Sequence, residues 1–131
     1  MSHWIFIEEG AYPLDAAYLV TAGRTGVCVE DAILEVYLNG NGERRVRGSG
    51  MTINALIVEL LEDHDELDML VDLGEQFKYR MHIPSVTAGK LFEPGVKSLM
   101  HFAATGALEK LDPEEYRRIT SGLTLLSCSP S

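Results

Sequence analysis

Between Leu67 and Ile83 the chain changes character at almost every step. Leu67, Met69, Val71 and Leu73 alternate with Asp68, Leu70 and Asp72; beyond Gly74, Phe77, Tyr79, Met81 and Ile83 alternate with Lys78, Arg80 and His82. A period of two belongs to strands with one buried face, so the two runs predict a β-hairpin. Setting Leu73 opposite Phe77 keeps both apolar sets together, because a slip of one residue would turn one set outward. The same register places Asp72 by Lys78 and Asp68 by His82, both favourable cross-strand pairs.

A second hairpin follows from turn chemistry. Val27 to Leu38 favours strand, Asn39-Gly40-Asn41-Gly42 is a turn signal, and Glu43 to Arg47 is the returning run. Pairing Val36 with Val46 puts Glu35 by Arg47 and Tyr37 by Arg45 on the opposite face. Trp4 to Ile7 reads as a short strand, and Leu123 to Leu126 as a final one.

Helical spacing marks other stretches. In Thr52 to His64, Ile53, Leu56, Ile57, Leu60 and Leu61 fall on one face of a helix. Pro13 to Ala22 has Pro near a helix start and Gly23 where a helix would stop, although Tyr18 to Thr21 also suits a strand. Val86 to Phe92 reads as a short helix, and Val96, Leu99, Met100, Ala103 and Ala104 form a second apolar stripe. Asp112-Pro113-Glu114-Glu115 opens a brief helix to about Ile119, with an N-cap, Pro at the first position and Glu at the third. Together these elements predict an α+β fold: an antiparallel sheet of about five strands with two β-hairpins, and helices packed on one face. A chain of 131 residues fits one domain, read as residues 1–126 with a flexible tail at 127–131.

The charge is unevenly placed. The chain carries 20 acids and 11 bases, a net −9. From Gly48 to Phe77 there are eight acids and no Lys or Arg, which leaves 12 acids against 11 bases elsewhere. An acidic balance argues against direct nucleic-acid binding, where Lys and Arg neutralise phosphates. No apolar run reaches the length of a membrane span, and the start lacks a signal segment, so a cytoplasmic protein with no membrane contact is expected. Cys28 and Cys128 lie too far apart for a metal knuckle and read as two separate thiols.

Two surfaces stand out as sites. Glu59, Glu62, Asp63, Asp65 and Glu66 form a carboxylate-rich surface suited to a basic protein partner. Arg44, Arg45, Arg47, Ser49 and Gly50, read as a loop before a helix N-terminus, hold the ingredients of an anion pocket. That segment is no phosphate loop, since Gly-Lys followed by Ser or Thr occurs nowhere in the chain. Asp63 to Asp68 lacks the glycine and closing Glu of a calcium loop, so no metal is expected. His101 reads as a structural histidine and His82 as the partner of Asp68, leaving no catalytic set and no cofactor motif. The reading from residues alone is a non-catalytic, inhibitor-type binding protein using Glu59 to Glu75. The alternative is a small-molecule module or small enzyme at Arg44 to Gly50. A homodimer completed through a strand edge or an apolar helix face is a further reading.

Overall fold

Residues 8–22, 24–53, 67–74, 77–87, 97–106 and 108–125 are described by a computed structural model of the chain. The elements run β1 (Gly10–Pro13), β2 (Ala16–Thr21), β3 (Thr25–Cys28), β4 (Glu30–Leu38), β5 (Arg44–Ile53), β6 (Leu67–Asp72), β7 (Lys78–His82), β8 (Ser85–Thr87), β9 (Lys97–Ala103), β10 (Leu108–Leu111), α1 (Pro113–Ser121) and β11 (Thr124–Leu125). They build a five-stranded sheet, ordered β1-β4-β5-β9-β8, and a six-stranded sheet, ordered β10-β7-β6-β2-β3-β11. The expected α+β fold with helices on one face of a single sheet is therefore wrong: the described chain is mostly β, with one short helix.

Both hairpins form in the expected register. Asp72 pairs with Lys78 and Asp68 with His82 across β6 and β7. Val36 pairs with Val46, Glu35 with Arg47 and Tyr37 with Arg45 across β4 and β5. The alternation that predicted these pairings also aims their apolar sets into one core, where Leu34, Val36, Val46, Met100 and Phe102 of the first sheet meet Leu19, Val27, Met69, Val71 and Met81 of the second. Each of these ten residues is at most 2% exposed, as the inner layer of a sandwich requires.

The chain visits the sheets by turns. After β1 in the five-stranded sheet come β2 and β3 in the other, then β4 and β5 back in the first, β6 and β7 in the second, and β8 and β9 in the first again. One residue, Val29, separates β3 from β4, and its N–H donates to the Ala17 carbonyl at 2.9 Å. At the β7–β8 crossing Ile83 adopts φ 47°, an outlier for a β-branched residue.

α1 lies on the outer face of the six-stranded sheet. Its Tyr116, with Ile119 and the following Leu123, covers Val20, Leu70 and Leu111 as a second small core. Pro113 at the first turn, Glu114 and Glu115 behind it and Arg118 in the last turn agree with the helix dipole. Asp112 stands at the N-cap without a side-chain cap bond.

Several expected helices are strands. Tyr18 to Thr21 belongs to β2, the strand alternative for that segment. Ser85–Thr87 is β8 where a helix from Val86 was expected, and Leu99, Met100 and Ala103 of the second stripe lie on β9, while Val96 falls outside the described residues. Thr52 and Ile53 close β5 instead of opening a helix; the rest of that predicted helix, the strand at 4–7 and the tail at 127–131 lie outside the described residues.

Candidate functional site

Arg44, Arg45, Arg47, Ser49 and Gly50 lie on β5, not in a loop. Strand geometry divides them between two faces, with Arg45, Arg47 and Ser49 on the side opposite buried Val46. Arg47 donates from Nε to Glu35 at 2.6 Å and stacks 4.2 Å from the Tyr37 ring centre. Arg45 sits 3.4 Å from Glu43. The glycines answer to packing: a Cβ on Gly48 would fall 2.3 Å from Phe102 Cζ, and one on Gly50 would fall 2.3 Å from Val29 Cγ1. A glycine-rich signal was therefore a core signal. His101 is exposed on β9, opposite Ser49 and Thr87, and not a buried structural histidine.

Glu59, Glu62, Asp63, Asp65 and Glu66 fall outside the described residues. Their segment, 54–66, links the end of β5 in one sheet to the start of β6 in the other. Of the acids that follow, Asp72 pairs with Lys78 at 3.0 Å, with side chains only 16% and 14% exposed. Asp68 accepts the Ile83 N–H at 3.2 Å and lies 3.5 Å from His82 Nδ1.

The outer face of the six-stranded sheet carries the main polar constellation. Register places Glu109 of β10 opposite Arg80 of β7. Arg80 donates from Nε and Nη2 to the Glu109 carboxylate at 3.0 and 3.1 Å, a two-pronged pairing that fixes both planes. His82 Nε2 lies 2.7 Å from the same carboxylate. Hydrogen bonding from Arg80, helped by His82, holds the Glu109 carboxyl below its ordinary range against the effect of partial burial, and the same bond raises the Arg80 guanidinium. Sequence reading missed this pair because β10 was not anticipated and its residues lie 29 positions from Arg80.

Next to this network, between α1 and the β2–β3 turn, a cleft of about 300 Å³ is lined by Arg24, Arg80, Arg118 and Asp68 with Val20, Ile119 and Leu123. Under α1, Tyr116 is 7% exposed and its hydroxyl has no hydrogen-bond partner among the described residues. Burial pushes that phenol well above its ordinary range, with Asp72 adding to the effect. Cys28 is disulfide-bonded, which overturns the expectation of two separate thiols. Among the described residues no three His, Cys, Asp or Glu side chains converge as a metal site, and no helix is long and apolar enough to cross a membrane.

Fold and site together define a class: the described residues form a two-sheet β protein with a helix on an outer face and charged side chains arrayed beside it. Comparison with protein-family models, curated proteins and solved structures finds no match to this chain.

Proposed function

We propose that the chain is a non-catalytic binding protein, a two-sheet scaffold that offers the carboxylates of Glu59, Glu62, Asp63, Asp65 and Glu66 to a basic macromolecular partner. The observation that carries this reading is how the cations nearest in sequence are used. Arg45, Arg47, Lys78 and Arg80 are each engaged by another acid, namely Glu43, Glu35, Asp72 and Glu109. The acids of 59–66 have no Lys or Arg within their own stretch, and the flanking cations already have partners. A concentration of one sign on a single inter-sheet connection speeds encounter with a cationic surface and selects against acidic ones. As for location, Cys28 favours an oxidising compartment over the expected cytoplasm, since disulfides persist where thiols are not kept reduced.

The test separates this segment from net charge. Glu59→Gln, Glu62→Gln, Asp63→Asn, Asp65→Asn and Glu66→Gln are combined in one variant. A control variant neutralises five exposed acids elsewhere: Glu8→Gln, Glu9→Gln, Asp31→Asn, Asp112→Asn and Glu114→Gln. Binding to an immobilised oligolysine peptide is measured across a salt series. The segment variant should lose most of the affinity and most of the salt dependence, while the control keeps both. Equal losses in the two variants would reduce the effect to net charge and end the proposal.

A further inference from the structure

The cleft beside α1 contains an arginine where the backbone asks for glycine. Arg24 adopts φ 66° in the turn between β2 and β3, a left-handed conformation that non-glycine residues adopt at a cost. Neighbours fix it there: the Arg24 N–H donates to the Thr21 carbonyl at 3.1 Å, and its own carbonyl accepts the Thr124 N–H at 2.8 Å. The side chain is thereby aimed at the end of α1, where Nη1 would lie 3.8 Å from a Cβ on Gly122. Backbone strain tends to collect where function requires a particular side chain. A second strained residue is connected to the same wall, since Ile83, at φ 47°, donates its N–H to Asp68.

The charges lining the cleft are not equally available. Arg80 is closed off by Glu109, and Asp68, the acid of the lining, is turned toward Ile83 and His82. That leaves two cations. Arg118 is 79% exposed, with Glu115 no closer than 3.9 Å, and no ion pair forms on Arg24 among the described residues. Val20, Ile119 and Leu123 supply an apolar wall between them, and a volume of about 300 Å³ suits a small ligand. A simpler account is that both cations complement the negative C-terminal end of α1. On that account Arg24 is there for stability, and glycine at φ 66° would have to be worse.

We propose that this cleft binds a small organic anion, a phosphate or carboxylate group on a short apolar body, with Arg24 and Arg118 holding the anionic group. Phenyl phosphate and benzoate serve as probes, with inorganic phosphate and phenol as their separate parts, each titrated into the protein and followed by amide chemical shifts. Saturable binding of phenyl phosphate or benzoate, centred on Arg24, Gly122 and Leu123 and stronger than for phosphate or phenol, is expected; which of the two binds more tightly identifies the anionic group. Arg24→Gly should weaken binding by about tenfold or more, the loss of one charge-assisted contact, while the melting temperature holds or rises because glycine suits the turn. Arg118→Gln should weaken binding as well, and Arg117→Gln, on the same helix, should not. The proposal is overturned if neither probe saturates at millimolar concentration, or if Arg24→Gly leaves affinity intact. It is equally overturned if Arg117→Gln matches Arg118→Gln, or if Arg24→Gly lowers the melting temperature without touching binding, which would assign Arg24 to the helix end alone.

Discussion

Gly48 offers the sharpest test of how the sandwich is packed. In Gly48→Ala the new methyl would sit 2.3 Å from Phe102 Cζ and 2.6 Å from the Ile33 carbonyl oxygen. Neither neighbour can move easily. Phe102 is 2% exposed within the shared core, and Ile33 is held in the β4–β5 ladder opposite Ser49. One methyl forced into a filled core costs about 1–3 kcal/mol, and a clash that includes backbone belongs at the upper end. For a domain of this size about 3 kcal/mol lowers the melting temperature by roughly 10 °C. Thermal and urea unfolding of wild type, Gly48→Ala, Phe102→Leu and the double variant would measure it. Phe102→Leu removes the atom in the way, so the double variant should be more stable than the sum of the single losses by about 1 kcal/mol or more. Full recovery is not expected, because the Ile33 carbonyl remains. A Gly48→Ala protein as stable as wild type, or strictly additive losses, would refute the argument that Phe102 dictates this glycine.

Further outcomes follow from the outer face of the six-stranded sheet. Tyr116→Phe removes a buried hydroxyl that has no partner among the described residues, so stability by urea unfolding should be unchanged or rise by up to about 1 kcal/mol; a clear loss would mean the hydroxyl is satisfied. Lys78→Ala takes the counter-charge from the mostly buried Asp72 carboxylate, leaving it the Gly74 N–H, and should cost about 3 kcal/mol, with Lys78→Met and Asp72→Asn together costing less. Glu109 titrates below its ordinary range in the folded protein. Its contribution is therefore complete above the unfolded carboxyl value, about 4.3, and is lost as pH falls through the lower folded value. The melting-temperature gap between wild type and Glu109→Gln should close as pH falls below about 5; a gap that does not change over that acid range would contradict the pairing.

How much of this was legible depended on which faces a strand buries. β4, β5 and β7 bury one face, and β6 does so except at Leu70, so the registers of the two hairpins could be read to the residue. In β2, Ala17 and Leu19 face the sandwich core while Tyr18 and Val20 lie toward α1, so alternation disappears and a helix fitted as well as a strand. Leu70 breaks its polar row for the same reason, being fully buried beneath the helix. In and just after β9 the apolar residues at 99, 100, 103 and 104 mimic a helical stripe. The structure shows Met100 buried and Leu99 exposed, a two-residue pattern hidden because the outer face also carries apolar residues. Gly48 and Gly50 suggested a loop because the bulky residues above them come from β9 and the β3–β4 link, distant in sequence. α1 was legible from Asp112, Pro113 and two glutamates alone, since helix starts are written locally. Of the site chemistry, Asp68–His82 and Asp72–Lys78 were readable across one turn, whereas Arg80–Glu109 and the Arg24 cleft required the topology.

The alternation of the chain between its two sheets has a consequence for assembly. No continuous piece of sequence contains either sheet without strands of the other, because after β1 the described strands alternate between the sheets two at a time. A half-made chain can close hairpins, yet it can complete neither layer, and each hairpin's apolar face stays wet until the next crossing is made. Folding should then be a single late event dominated by contacts between distant segments, with the slow rates that such topologies bring. Cutting the chain at the β3–β4, β5–β6 or β7–β8 crossing should leave neither sheet within one piece; the two layers should be lost together.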